Sequence, residues 1–133
     1  MTMSEVTPAG TVLIVDDDQA GAAVFAYALT RAGYHVHLAN SAETALRELD
    51  AQRPDVIILD FRMPLINGLG FLYRLRARAA YRHTPVLLVT GEPFTDELLN
   101  EARDLGAEFR EKPIGLEELQ DAIHRLLTSA APE

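Results

Sequence analysis

The sequence predicts an α/β fold, with a doubly wound sheet of five parallel strands and five helices on its two faces. Short apolar runs bounded by turn residues alternate with segments of helical periodicity, the pattern typical of a parallel sheet covered on both faces. The 133 residues, 48% of them hydrophobic, favour one domain with one core. The predicted strands are Val12–Val15, Tyr34–Leu38, Val56–Leu59, Val86–Val89 and Ala107–Arg110.

The composition of these strands predicts their order in the sheet. The first, third and fourth runs are apolar at every position, as strands covered on both faces must be. The second and fifth runs alternate apolar and polar residues, which indicates edge strands. An open sheet with these two outermost fits the order 2-1-3-4-5, in which the chain reverses direction between the first and third strands.

Each helix is predicted from apolar residues at helical spacing. Gly33 and Gly106 are expected to end the first and fourth helices, and Asn40 with Glu43 resembles a capping box that would begin the second. The predicted buried stripes are Phe25, Leu29 and Ala32; Ala42, Ala45, Leu46 and Leu49; Leu72, Leu75 and Ala79; Leu98, Ala102 and Leu105; and Leu116, Leu119, Ile123 and Leu126.

The net charge argues against a nucleic-acid-binding protein, and the length of the apolar runs argues against a membrane protein. The net charge of -8 would repel nucleic acid unless basic residues were segregated on one face. The apolar runs are too short to cross a bilayer, and residues 1–10 lack a basic start with an apolar stretch behind it, so we expect a cytoplasmic protein without membrane contact. The nearest approach to a basic patch, which we expect to be a solvated helix face, is Arg74, Arg76, Arg78 and Arg82.

The limits of the domain follow from the same patterns. Residues 11–128 are expected to form the domain, and residues 1–10 and 129–133 to be flexible ends. The absence of cysteine removes disulfides, thiolate metal sites and thiol catalysis together.

Polar residues suited to phosphoryl chemistry follow the predicted strands. In open α/β sheets ligands bind beyond the carboxyl ends of the strands, where the strand order reverses. Clustered acids need a cation to neutralise them, and an oxygen-only set without His or Cys favours Mg²⁺, which also binds phosphate. A Thr hydroxyl and a Lys ammonium would hold the oxygens of a transferring phosphoryl group. The residues concerned are Asp16, Asp17 and Asp18 after the first strand, Asp60 after the third, Thr90 after the fourth and Lys112 after the fifth.

Lys112 is the one lysine of the chain, since every other Lys or Arg position holds Arg. A compact ammonium on a flexible stem suits a point contact to phosphate or carboxylate, which a planar guanidinium would not duplicate. The alternative is a salt bridge with no further role.

Four short motifs together resemble the signature of response-regulator receiver domains. The resemblance covers about residues 11–127. Each motif alone is weak, but four of them in this order, each ending a strand, make a specific signal. They are Val15-Asp16-Asp17-Asp18, then Leu59-Asp60-Phe61-Arg62-Met63-Pro64 with Gly68 behind it, then Val89-Thr90-Gly91, and finally Lys112-Pro113.

The resemblance implies a signalling switch of two-component systems. A histidine kinase or phosphotransfer protein would donate a phosphoryl group to Asp60, and the domain would support this transfer and its own dephosphorylation without being an enzyme in the usual sense. A downstream protein or an output domain would bind the face made by the fourth helix, fifth strand and fifth helix. The resemblance leaves open a homodimer that forms on phosphorylation.

Residue roles are implied position by position. Asp17 and Asp60 would bind Mg²⁺ with the backbone carbonyl of Arg62, and Asp16 would act mainly through a metal-bound water. Sequence position, rather than the resemblance, adds Arg62 and Glu92. They lie two residues after Asp60 and Thr90 and are therefore expected to rim the mouth of the site, either as a pair that slows loss of the phosphoryl group or as two solvated charges.

The resemblance implies roles for three further positions. Thr90 and Lys112 would contact the phosphoryl group, and Thr90 would work with Phe109 as the switch. Phe109 stands where the family usually has Tyr or another aromatic residue, so it lends no hydroxyl, and a plain core position is the alternative. The family usually has the Lys112-Pro113 bond cis. Asp18 has no defined role in the family, and we expect it to be a helix N-cap.

Two other functions stay open on the residues alone. Asp16-x-Asp18 matches the nucleophile and acid/base pair of haloacid-dehalogenase-like phosphohydrolases, although the chain is short and lacks the cap insertion and the final acidic pair. A receiver-shaped docking module that never accepts phosphate is the other.

His35 and His37 share one strand face and could chelate a metal, but two solvated histidines are the expectation.

Overall fold

Five strands and five helices alternate in the structure, a computed structural model that describes residues 9–60, 65–91 and 95–129, without the side chains of residues 65–67. A 3-10 turn over Ala79–Tyr81 follows the third helix. The strands are β1 (Thr11–Val15), β2 (His35–Ala39), β3 (Val56–Asp60), β4 (Val86–Thr90) and β5 (Ala107–Glu111), and the helices are α1 (Gln19–Arg31), α2 (Ala42–Gln52), α3 (Leu65–Ala77), α4 (Asp96–Asp104) and α5 (Leu116–Ser129).

The strands form one parallel sheet in the order β2-β1-β3-β4-β5, which confirms the predicted fold. Every residue of β3 and β4 is buried, whereas β2 and β5 are partly exposed, as expected of edge strands. In the register of the sheet, Val15 lies beside Leu59 and Asp60 lies beside Val89. The carboxyl ends of the three central strands therefore meet at one edge of the sheet.

The sheet separates two layers of core because successive strand side chains point to opposite faces. Leu13 and Val15 belong to the cluster that packs under α2 and α3, and Val12 and Ile14 belong to the cluster under α1 and α5. Within the described residues, no helix combines the length and the apolar character needed to cross a membrane.

Two glycines end helices as predicted. Gly33 has φ +104° and Gly106 has φ +81°, a region where a Cβ atom would be strained. The predicted stripes were wrong at three helix margins, where Ala32, Ala79 and Leu116 are exposed. Ala32 is a C-cap, Ala79 lies in the 3-10 turn, and Leu116 is the first residue of α5. In each case the apolar periodicity of the sequence continues beyond the residues that pack against the sheet.

The predicted capping box of Asn40 with Glu43 was wrong. The N-cap of α2 is Ser41, whose hydroxyl accepts a hydrogen bond from the Thr44 backbone N–H at 3.0 Å. Asp18 stands at the N-cap position of α1, as predicted, but its side chain makes no capping hydrogen bond.

Arg76 of α3 is not part of a solvated face, which corrects the expectation for this residue. Its half-buried guanidinium donates to three backbone carbonyls, those of Leu105 at 2.7 Å, Tyr81 at 2.9 Å and Thr84 at 2.6 Å. Burial lowers the pKa of the guanidinium from its ordinary value. Arg76 therefore ties the end of α4 and the segment before β4 to α3.

We predict that Arg76→Met lowers the free energy of unfolding by about 2 kcal/mol or more, because three carbonyls lose a charged donor. Arg47→Met is the matched control, since within the described residues Arg47 forms an exposed pair with Glu43 at 3.6 Å and a long contact to Thr44 at 3.4 Å. That control should change stability by less than about 0.5 kcal/mol. Urea denaturation of both variants measures the difference, and equal effects would contradict this role of Arg76.

Candidate functional site

Three polar or charged residues, tyrosines aside, are buried in the part of the chain that the structure describes: Asp16, Asp60 and Thr90. Asp16 follows β1, as predicted. Asp60 and Thr90 are the last residues of β3 and β4, whereas the sequence predicts them just beyond these strands. Burial of such groups is costly unless they are paired. Their convergence at the point where the strand order reverses therefore marks a functional site.

Lys112 pairs with Asp60 across the end of β4. Its Nζ atom donates to Asp60 Oδ1 at 2.7 Å and lies 2.6 Å from Oδ2. The backbone N–H of Lys112 donates to the Thr90 carbonyl at 2.6 Å, which anchors the start of the loop after β5. The Lys112–Pro113 bond is cis, as expected. Both ends of the lysine are thus held, and its charge faces a carboxylate.

Among the described residues, one carboxylate oxygen of Asp16 is without a hydrogen-bond partner. Oδ1 accepts from the Asp18 backbone N–H at 2.8 Å, but the buried Oδ2 atom accepts no hydrogen bond from the part of the chain that the structure describes. Burial raises the pKa of Asp16 to about 7; the Asp18 N–H opposes the rise, the Asp60 carboxylate adds to it, and Lys112 opposes it. A single lysine does not neutralise the two carboxylates, so this site favours a further cation.

The donor set fits Mg²⁺. This ion prefers oxygen ligands, takes one or two carboxylates and keeps several waters. Asp16 and Asp60 supply buried carboxylates, and the exposed Asp17 follows directly on Asp16. Among the described residues no three acidic or histidine side chains converge into a metal cluster. Few side chains would therefore coordinate Mg²⁺ here, and water would supply the remaining ligands. Arg62, the predicted carbonyl donor, lies outside the described residues.

The predicted switch residues are in different environments. Thr90 is buried, whereas Phe109 is half-buried on β5 and packs against the core cluster under α2 and α3. Arg62 and Glu92, the predicted rim pair, lie outside the described residues.

A cleft of about 440 Å³ opens beside the site. Gly21 on its wall leaves little space for a larger residue, because an added Cβ atom would lie 2.7 Å from Asp18 Oδ2. Sequence reasoning missed this cleft. The available signal was the position of Pro113 and Ile114 directly after Lys112, since both residues line the cleft. The lining consists of Gly21, Val24, Phe25, Asp60, Lys112, Pro113 and Ile114.

Comparison with known proteins assigns the family. The family model described as "response regulator receiver domain" matches residues 12–124. The chain belongs to this family. The receiver domain matched here is the one found in response regulators of two-component systems, which confirms the resemblance drawn from the four motifs.

Relatives and solved structures agree with the family. Response regulator MprA of Mycobacterium leprae is 35% identical over 123 residues, 92% of this chain and 53% of that protein. The "probable transcriptional regulatory protein TcrX" of Mycobacterium tuberculosis is 32% identical over 117 residues, 88% of this chain and 49% of that protein. The chain thus spans about half the length of these curated relatives.

Two solved structures illustrate the likeness in fold. Chemotaxis response regulator CheY4 of Vibrio cholerae has a TM-score of 0.80 at 34% identity and covers 91% of this receiver domain and 100% of its own chain. A response regulator receiver domain from Bermanella marisrubri has a TM-score of 0.77 at 32% identity, with coverage of 88% and 97%.

We predict that Asp16→Asn stabilises the receiver domain in metal-free buffer at neutral pH, by about 1 kcal/mol or more, because it removes a buried charge that only one described hydrogen bond offsets. The exposed Asp17→Asn is the matched control and should change stability by less than about 0.5 kcal/mol. Denaturation in chelator-treated buffer gives both values. A destabilised Asp16→Asn protein would contradict the view that this carboxylate is held at a cost.

Proposed function

We propose that this receiver domain is a phosphorylation-dependent switch that accepts a phosphoryl group onto Asp60 from a phosphohistidine of a histidine kinase or phosphotransfer protein, in the cytoplasm. The observation that carries the proposal is the buried Asp60 carboxylate, held by Lys112 and facing a second buried carboxylate, Asp16. This arrangement offers a nucleophilic oxygen beside groups suited to bind phosphate.

Asp60 is favoured over Asp16 as the phosphoacceptor. Asp60 lines the cleft beside the site, whereas Asp16 is fully buried behind it and is not part of that lining. One Oδ1 lone pair of Asp16 is also engaged by the Asp18 N–H. These contacts argue against the phosphohydrolase alternative, in which Asp16 would be the nucleophile.

The transfer itself is a displacement at phosphorus. A carboxylate oxygen of Asp60 forms a bond to phosphorus, the bond between phosphorus and the histidine nitrogen breaks, and the imidazole leaves with that electron pair. The phosphorylated carboxyl group then carries no carboxylate charge, and the negative charge lies on the phosphoryl oxygens. Lys112 consequently loses its carboxylate partner and is placed to pair with a phosphoryl oxygen instead.

Asp16, Asp17 and Asp60 would hold Mg²⁺, with the Arg62 carbonyl as a further ligand. When bound, the ion supplies charge neutralisation to the phosphoryl oxygens. The chain's own residues do the rest: Asp16 and Asp60 provide the negative site, and Lys112 keeps Asp60 oriented toward the cleft.

The central test is the phosphoryl adduct itself. Incubation with an acyl phosphate and Mg²⁺, followed by intact-mass measurement, should add one phosphoryl group to the parent domain and none to Asp60→Asn, which removes the nucleophile while nearly preserving shape. A chelator should also prevent the adduct. Circular dichroism of the variant controls for folding.

Three results would separate the alternatives. An undiminished adduct on Asp60→Asn that disappears from Asp16→Asn would support the phosphohydrolase reading. No adduct on the folded parent domain, from a small donor or from a panel of phosphorylated kinases, would support a docking module. An adduct mapped by peptide analysis to Asp60 supports the switch.

The readout of the switch is proposed to be the α4-β5-α5 face. Thr90 ends β4 next to Asp60, and Phe109 lies on the neighbouring strand β5, level with Leu88 of β4. A hydroxyl drawn toward the phosphoryl group would leave space beside β5 for the Phe109 ring. A downstream protein or an output domain would bind this face, and a homodimer on phosphorylation is a further use of it.

We predict that Thr90→Ala uncouples phosphorylation from this face. The variant should still form the Asp60 adduct, but amide chemical shifts of α4 and of Phe109 should change much less than in the parent domain. Thr84→Ala is a control, because Thr84 lies before β4 and far from its carboxyl end. If the parent domain shows no shift changes in α4 or β5 on phosphorylation, the switch lies elsewhere.

A further inference from the structure

Two histidines lie side by side on the edge strand β2. His35 and His37 point to the same face of the strand, and their ring centroids are 4.5 Å apart with the planes at 87°. His35 is exposed and His37 is half-buried. The pair therefore presents two imidazoles to solvent at a sheet edge where no further strand lies beyond β2 in the described sheet.

The surroundings of His37 favour its neutral imidazole. Burial lowers the pKa of His37, the charge of His35 lowers it further, and Glu48 of α2 acts in the opposite direction. A neutral imidazole has a free nitrogen lone pair, which metal binding requires. Glu48 adds negative charge on the helix packed against this face.

The separation of the rings matches that of a chelate. Two imidazoles on one tetrahedral Zn²⁺, with Zn–N distances of about 2.0–2.1 Å, have ring centroids about 5 Å apart. The observed rings are in edge-to-face contact at 4.5 Å, so the exposed His35 side chain has to turn until a nitrogen of each ring faces the same ion. Imidazole ligands select borderline ions such as Zn²⁺, Cu²⁺ and Ni²⁺ over Mg²⁺.

We propose that His35 and His37 form a second metal site, a two-imidazole chelate for a borderline divalent ion of the Zn²⁺ class. No three histidine or acidic side chains converge among the described residues, so the chain supplies two ligands and solvent completes the coordination. The site is separate from the carboxylates Asp16 and Asp60, because His35 begins β2 and lies level with Thr11, at the opposite end of β1 from Asp16.

The same geometry has a simpler explanation, an edge-to-face contact of two rings that stabilises the edge strand. The two explanations differ in what Zn²⁺ does. A chelate raises the melting temperature when Zn²⁺ is added, since the ion binds the folded chain, whereas a ring contact is indifferent to the ion.

Zn²⁺ titration of the untagged domain, in excess Mg²⁺ to fill the carboxylate site, tests the proposal. A chromophoric competitor reports the affinity, and a thermal scan reports stabilisation. His35→Gln and His37→Gln should each raise the dissociation constant for Zn²⁺ at least about tenfold, since loss of an outer partner alone costs about 10–100-fold. His83→Gln, at an exposed histidine away from the pair, is the control and should bind like the parent.

Each outcome decides the matter. Loss of affinity and of Zn²⁺ stabilisation in both β2 variants, with the control unchanged, supports the chelate. Equal affinity in parent and β2 variants overturns it, as does the absence of Zn²⁺ binding by the parent domain in excess Mg²⁺. Because His35 is exposed, His35→Gln keeps the test valid even if His37→Gln folds poorly.

Discussion

The ion pair between Asp60 and Lys112 is the constraint on which the rest of the site depends. Asp60 is buried beside Asp16, and two carboxylates in one buried site repel each other. The lysine that offsets this repulsion comes from the far side of β4, so it must cross the end of that strand. The parallel sheet makes the crossing short, and the hydrogen bond from the Lys112 N–H to the Thr90 carbonyl holds it in place.

The sequence predicts the order of the strands because a strand that is buried on both faces is apolar at every position. Val56–Leu59 has no polar residue, which placed β3 in the middle, whereas His35 and His37 placed β2 at an edge. The acids, Thr90 and Lys112 could be identified because carboxyl ends of parallel strands share one edge. Their mutual distances could not, since these depend on packing across the sheet.

The errors have a common physical origin, which is that local patterns do not reveal distant partners. Asn40 and Ser41 are both good N-caps, and only the packing of α2 decides between them. Arg76 looked solvated because its acceptor Leu105 lies 29 residues away along the chain. The cleft was missed for the same reason. Val24 of α1 and Ile114 of the loop before α5 are far apart along the chain, and periodicity does not distinguish a cleft wall from a core.

The unpartnered oxygen of Asp16 links the stability of the receiver domain to its chemistry. A carboxylate that is buried with one oxygen unpartnered among the described residues destabilises the fold, and sequence optimisation for stability alone would remove it. The same oxygen would be favourable if a cation bound there, because binding to the folded state alone stabilises that state by mass action. Phosphorylation of Asp60 would replace its carboxylate charge with the charge of the phosphoryl oxygens, and Lys112 would exchange its carboxylate partner for a phosphoryl oxygen. A change in charge at Asp60 would therefore alter the interactions of Asp16 and Lys112, which is what the proposed switch requires.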